Sequence, residues 1–203
     1  IYLSYKKSKN CDKFNSIFLD KIMETSSKTQ LGITGKEGTV FQETIDWVQY
    51  AQKVFKPKKA ISRVKREAEF QKLAAGVGVA PKIIEINTSS PPSFTMDKMD
   101  KTVIDVINEQ DGELTEEQQN KILSLYQKLD EIKLLHNDSN PLNLMIVGEE
   151  WKLIDYGMSK KITKEYGKKY DNIPNLKVGL RFLLNSTKGL ITRKILKKEP
   201  TIL

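Results

Sequence analysis

Apolar residues recur along this chain with two different spacings, and the stretch over which each holds predicts where strands and helices form. Val48-Gln49-Tyr50-Ala51-Gln52-Lys53-Val54-Phe55 alternates closely enough to be a strand. Residues 81–86 and 93–96 read as two more strands around the polar turn of residues 87–92. Between Thr29 and Val48, short extended segments flank a glycine turn, Gly35-Lys36-Glu37-Gly38-Thr39-Val40-Phe41. A helical spacing predicts a helix over residues 62–75, with Val64, Ala68, Phe70 and Leu73 among its less polar positions and Gly76 and Gly78 ending it. Ile17, Phe18, Ile22 and Met23 give residues 1–26 the spacing of an amphipathic lead-in helix.

The second half favours helices. Residues 103–107 make a short one, and Thr115-Glu116-Glu117-Gln118 is a capping-box pattern that opens a longer one. Ile122, Tyr126, Leu129 and Ile132 keep one apolar face along that helix and deliver the chain directly to His136. Leu144-Met145-Ile146-Val147, the turn Gly148-Glu149-Glu150 and the strand Trp151-Lys152-Leu153-Ile154 predict a hairpin. Beyond Gly157 come the lysine-rich residues 160–169, a turn at 172–174 and a mixed helical segment carrying Leu176, Val178, Leu180, Phe182, Leu183 and Leu184. Strands and helices together, with strands prevailing in the first half and helices in the second, suit an α+β fold.

A chain of 203 residues can bury a real core, as one domain or as two closely packed lobes. No run approaches the roughly 18 to 20 apolar residues that span a bilayer, so no membrane association is expected. No secretory leader is recognisable, and the start at Ile1 leaves an upstream segment open. A single cysteine, Cys11, offers no internal disulfide or cysteine metal cluster and suits a reducing compartment. Cytoplasm, including that of an infected host, is the expected location. The oligomeric state is not set by these features.

The formal charge of +8 is unevenly spread. Lys56, Lys58, Lys59, Arg63, Lys65 and Arg66 form one group, Lys160, Lys161, Lys164, Lys168 and Lys169 a second, and Arg193, Lys194, Lys197 and Lys198 a third. Such patches can hold an acidic protein or an RNA backbone. Solvated lysine surface is the reading preferred over a base-stacking platform.

Candidate chemistry concentrates in His136-Asn137-Asp138-Ser139-Asn140-Pro141-Leu142-Asn143 and in Ile154-Asp155-Tyr156-Gly157. Asp138, Asn143 and Asp155 are short oxygen-bearing side chains, and the hairpin between them would bring Asn143 and Asp155 together. A hard divalent cation takes such ligands, one or two from protein and the rest from water and substrate phosphates. In the glycine turn, Gly35 and Gly38 would let backbone amides approach phosphate oxygens, although a hairpin turn needs glycine as often. The plainer alternative for the Asn- and Asp-rich loop is turn chemistry alone.

These residues resemble the catalytic segment of the protein-kinase superfamily, with its H-x-D-x-x-x-x-N loop and D-F-G turn. Ala51-Gln52-Lys53 is similar to the A-x-K of that family's phosphate-binding strand. The resemblance implies a two-lobed fold: residues 1–99 as a small antiparallel-sheet lobe and residues 100–203 as a reduced helical lobe. It implies ATP and Mg2+ as cofactors, with Asn143 and Asp155 holding the metal and Asp138 aligning or deprotonating the attacking hydroxyl. Gly35, Gly38 and Val40 would cover the nucleotide, and Lys53 would contact its phosphates. Ala51, Asp97, Met99 and Met145 would line the base site, with residues 96–99 as the hinge. Glu67 is the implied partner of Lys53, with Glu69 as competitor and a surface pairing of Glu67 to Arg63 or Lys65 as the plain alternative.

Departures from the pattern carry their own expectations. Ile33 occupies the first loop-glycine position, with Gly32 as a substitute. Asn137 replaces the arginine of H-R-D, so control by a phosphorylated loop that pairs with that arginine is not expected. Asn140 stands where a lysine neutralises the transferred phosphoryl group, which predicts slow turnover or compensation by a cation such as Lys160. No A-P-E element follows Gly157. The chain is most similar to minimal atypical kinases: the RIO group, the small kinase-like ATPase of the KEOPS tRNA-modification complex, and compact kinases of large DNA viruses. The expected activity is transfer of the ATP γ-phosphoryl group to Ser or Thr hydroxyls of a protein substrate or of the chain itself. Alternatives are a kinase-shaped ATPase acting with tRNA or RNA, and a small-molecule kinase.

Overall fold

The computed structural model describes residues 28–186 apart from Ile33 and residues 111–113. The expectations for the lead-in helix, Cys11, Ile33, the side chain of Leu184 and the basic residues from Arg193 onward fall outside those residues. What is described is α+β: a five-stranded antiparallel sheet, a three-stranded and a two-stranded sheet, and several helices.

The sheet is built from β1 (Gln30–Leu31), β2 (Gly38–Ile45), β3 (Val48–Phe55), β4 (Ile83–Asn87) and β5 (Ser93–Asp97), in the order β1-β2-β3-β5-β4. β2 and β3 pair along their whole length from Gly38↔Phe55 to Ile45↔Val48. Asp46 and Trp47 close this hairpin with φ of 47° and 68°. Positive φ at both central residues is what a two-residue turn needs to match strand twist. Alternation along β3 buries Ala51, Lys53 and Phe55 on one face, where Phe94 and Met96 of β5 lie beside them in register.

Helix α1 (Ile61–Gly76) lies on that face, and its Val64 and Ala68 complete a small apolar cluster with Ala51, Phe55, Phe94 and Met96. Burying side chains of this kind stabilises by about 1.5–3 kcal/mol for each large one. The helix ends as Gly76 and Gly78 predict. Gly78 takes φ +77°, its N–H donates to the Ala75 carbonyl at 3.0 Å, and the Val79 N–H donates to the Ala74 carbonyl at 2.9 Å. That is the paired bonding of a Schellman stop, sealed by contact between apolar residues on either side. Leu73 is exposed instead of facing the core, and Gln71 and Ala74 take the inward positions.

A larger apolar cluster gathers α2 (Val103–Glu109), α3 (Glu116–Glu131), and the hairpin of β8 (Leu144–Val147) and β9 (Glu150–Leu153). Thr115 and Gln118 form the expected reciprocal cap on α3, at 3.2 and 2.9 Å. Ile122, Tyr126 and Leu129 are buried, and Ile132 is partly so. The helix does not run straight into the loop: β7 (Leu134–Leu135) intervenes and pairs with β10 (Lys160–Lys161). β6 (Lys101–Thr102) pairs with β8.

The last described elements are α4 (Lys164–Lys169), a π-helical turn (Asn175–Gly179) and α5 (Leu180–Ser186). Leu180 and Leu183 join the larger cluster, whereas Val178 and Phe182 are exposed. Within the second lysine group, Lys160 and Lys169 lie over aromatic rings. Tyr166 and Tyr170 stand one helical turn apart with ring centroids 4.9 Å from each other, Lys160 lies over the first and Lys169 over the second. Among the described residues, no helix is long and apolar enough to cross a membrane.

Candidate functional site

β3 delivers Lys53 to the junction between the sheet, α1 and the turn after β9. Its ammonium lies 2.6 Å from Glu67 Oε1 and 2.9 Å from Asp155 Oδ1, residues 14 and 102 positions away in the chain. Glu67 is only 2% exposed, so the surface pairing with Arg63 or Lys65 is excluded, and Glu69 is exposed on the opposite side of α1. Burial works to lower the Lys53 pKa, but the two carboxylates overcome it and hold the ammonium protonated. Asp155 also resists burial, which alone would raise its pKa; Lys53 and the Gly157 N–H bring it below the ordinary value. Glu67 is the member that burial pushes upward despite Lys53.

Asp155 takes a left-handed conformation, φ 64° and ψ 73°, and its Oδ1 accepts from the Gly157 N–H at 3.4 Å. Aspartate tolerates this region better than most non-glycine residues because its short side chain bonds the local backbone. The loop before β8 is fastened to the same turn, since the Ile154 N–H donates to the Asn143 carbonyl at 2.9 Å. Asn143 donates through Nδ2 to Asp138 Oδ2 at 2.9 Å and to the Asp138 carbonyl at 3.2 Å. Its carbonyl oxygen Oδ1 is left to offer a cation. Asn143 and Asp155 thus sit on two segments joined by a backbone bond, and each carries an oxygen donor of the kind a hard divalent cation takes.

Asn140 does local work. Its Oδ1 accepts from the Leu142 N–H at 2.9 Å and caps the 3-10 turn Pro141–Asn143, which leaves Nδ2 as its remaining donor. His136 is wholly buried. Its Nε2 lies 3.0 Å from the Ile154 carbonyl, so that nitrogen carries the proton and donates, and burial lowers the ring pKa. Tyr156 packs edge-on against the imidazole with centroids 4.8 Å apart.

A second support comes from Asn175, which the sequence reading did not single out. Its Oδ1 accepts from the His136 N–H at 3.1 Å, and its Nδ2 donates to Asp130 Oδ1 at 2.7 Å and to the Leu134 carbonyl at 2.9 Å. The Ser159 hydroxyl adds a bond to the His136 carbonyl at 3.0 Å. Helix α3, the loop and the π-helical turn are thus locked by one buried amide.

The positions expected to meet a base lie around the end of β5. Ala51 is opposite Met96, and Val40 is opposite Lys53 on the same face of the sheet. The Asp97 N–H donates to the Lys82 carbonyl at 3.0 Å, and the Asp100 N–H to the Ile146 carbonyl at 2.9 Å. Met99, between them, makes no backbone hydrogen bond among the described residues. Met145 alternates with the buried Leu144 and Ile146, on the other face of β8.

Strand packing also requires one glycine of this turn. A Cβ on Gly38 would sit 2.2 Å from the Val54 carbonyl oxygen, so glycine is required there for β2 to start against β3. Gly35 donates its N–H to the Gly38 carbonyl at 2.8 Å, closing the turn on itself. Within that turn, sequence reading passed over Glu37, whose Oε2 lies 2.6 Å from the Lys59 ammonium. Lys59 had counted only as part of a basic run; the signal available was an acid set between two turn glycines. Lys160, the suggested compensating cation, is exposed and lies over Tyr166. No protein-family model matches this chain, and no curated protein matches it.

Proposed function

We propose that this chain is an ATP-dependent phosphotransferase with a two-lobed kinase-like arrangement, acting on hydroxyl groups of a protein or of itself. The observation that carries the reading is Lys53 held at once by Glu67 and Asp155, with Asp138 and Asn143 fastened to the same turn. A lysine pre-positioned by a buried acid, beside an acid and an amide with oxygen donors, suits the tail of a magnesium nucleotide.

On this reading Lys53 binds the phosphates. Asn143 and Asp155 hold the metal, which when bound neutralises the charge on the phosphate oxygens. The free backbone of Met99 receives the edge of the base, and Val40, Ala51 and Met145 bracket its faces, with Asp97 fixing the strand end. The substrate hydroxyl oxygen bonds to the γ-phosphorus as the bond to the β–γ bridging oxygen breaks. ADP leaves, and the hydroxyl proton passes to Asp138, whose carboxylate Asn143 orients. Alignment and charge supply the rate, with no covalent intermediate on the protein.

Transfer of label from γ-labelled ATP to a generic basic or acidic protein, and to the chain itself, tests this. The expected result is magnesium-dependent transfer that falls at least about 100-fold in Lys53→Met. Equal transfer by the variant would falsify the assignment. The lysine-flanked Tyr166 and Tyr170 pair favours a second reading, a kinase-shaped ATPase that works on RNA. Hydrolysis stimulated by single-stranded RNA, without label transfer, would select it.

A further inference from the structure

Glu37 takes no part in the reading above, yet the fold brings it to the same place. One carboxylate oxygen from each of Glu37, Glu67 and Asp155 lies within 4.8 Å of the others. They ring Gly157: a Cβ built there would lie 3.0 Å from Glu37 Oε2, 3.1 Å from Glu67 Oε2 and 3.3 Å from Asp155 Oδ1. Glycine at 157 therefore keeps open a space bordered by three acids. Two ammonium groups, Lys53 and Lys59, face these three carboxylates, so the group carries one negative charge more than it balances when all are ionised.

An independent observation points to a ligand. Glu67 is 2% exposed, and its Oε2, the oxygen turned toward Gly157, has no hydrogen-bond partner among the described residues. Lys53 engages the other oxygen, Oε1. A buried acceptor without a donor is the atom that an electropositive ligand would satisfy.

We propose that Glu37, Glu67 and Asp155 bind a divalent cation of the hard, oxygen-ligated class in the absence of nucleotide. Carboxylates with added water suit Mg2+ and Mn2+. Such a cation ties the glycine turn, through Glu37, to α1 and to the turn at Asp155. It needs neither a bound nucleotide nor Asn143, so it goes beyond the phosphotransfer reading, with which it shares Glu67 and Asp155.

The test is titration of the nucleotide-free chain with Mn2+, with free Mn2+ followed by electron paramagnetic resonance. One Mn2+ per chain is expected. Affinity should fall at least about tenfold in Glu37→Gln. It should fall similarly in Gly157→Ala, which removes no ligand and fills the space. Glu69→Gln, on the exposed side of α1, should bind Mn2+ as the unaltered chain does. Far-UV circular dichroism confirms folding, and Glu37, on a partly exposed turn, is the variant least exposed to misfolding. Absence of binding, equal binding in Glu37→Gln, or an equal loss in Glu69→Gln overturns the proposal. Label transfer from ATP, measured in parallel, separates its failure from failure of the phosphotransfer reading.

Discussion

Lys53 holds one positive charge between two carboxylates, and its removal strands Glu67 in a site with almost no water. Lys53→Met should therefore destabilise the fold by about 1–3 kcal/mol, and adding Glu67→Leu should recover part of that loss. Urea denaturation of both variants measures it; a single variant as stable as the parent contradicts the account. His136 sets a pH dependence. Its folded pKa lies below the ordinary 6.5 because the ring is buried, so the unfolded chain takes the proton first. Its contribution is intact above pH 6.5 and is lost as pH falls below that value toward the lowered folded one. Between pH 7.5 and 5.5 the unaltered chain should lose more stability than His136→Gln, by at most about 1.4 kcal/mol per pH unit. Parallel losses in the two proteins would rule this out. Asn140 brings no charge to a transferred phosphoryl group, so Asn140→Lys should raise label transfer even though it removes the cap on Leu142. An unchanged rate leaves the missing charge without consequence.

At the scale of elements, sequence was most legible where one local rule decides the outcome. Alternation located β3 at its observed limits, glycines marked the end of α1, and the Thr115–Gln118 box opened α3. Elements that exist only because distant segments pair were not legible. β7 and β10 are two residues each and define each other, and no local period marks so short a strand. The Asp46–Trp47 turn was missed because tryptophan is not a residue expected at positive φ; the eight-residue pairing on either side of it dictates the conformation. Gly38 was read as making room for phosphates or serving a turn, and neither reading named the close approach of the Val54 carbonyl that also requires glycine there. Gly38→Ala should accordingly lower the thermal midpoint by several degrees, by driving β2 off β3. A melting curve that does not move would show that the strands yield there at no cost.

Across the whole molecule, the site exists because segments far apart in sequence are fastened to one another by backbone and buried polar bonds. Asn175 joins α3, β7 and the His136 loop, and Ile154 joins that loop to the turn at Asp155. Motif spacing identified Lys53, Asp138, Asn143 and Asp155 as candidates; the fold pairs Lys53 with Asp155 and Asp138 with Asn143, and the backbone bond from Ile154 to Asn143 joins the two pairs. Spacing could not identify Glu37 or Lys59. The place of Glu37 near Gly157 and its pairing with Lys59 depend on how distant segments pack, which no local pattern encodes. The central claim is that Asp155 and Lys53 meet in order to hold a metal-bound triphosphate. It is tested most directly by ATP binding and γ-phosphoryl transfer in Asp155→Ala beside the unaltered chain, at fixed Mg2+. The account predicts that transfer falls at least about 100-fold and that Mg2+ no longer strengthens ATP binding; a variant that binds and consumes ATP as the parent does contradicts it.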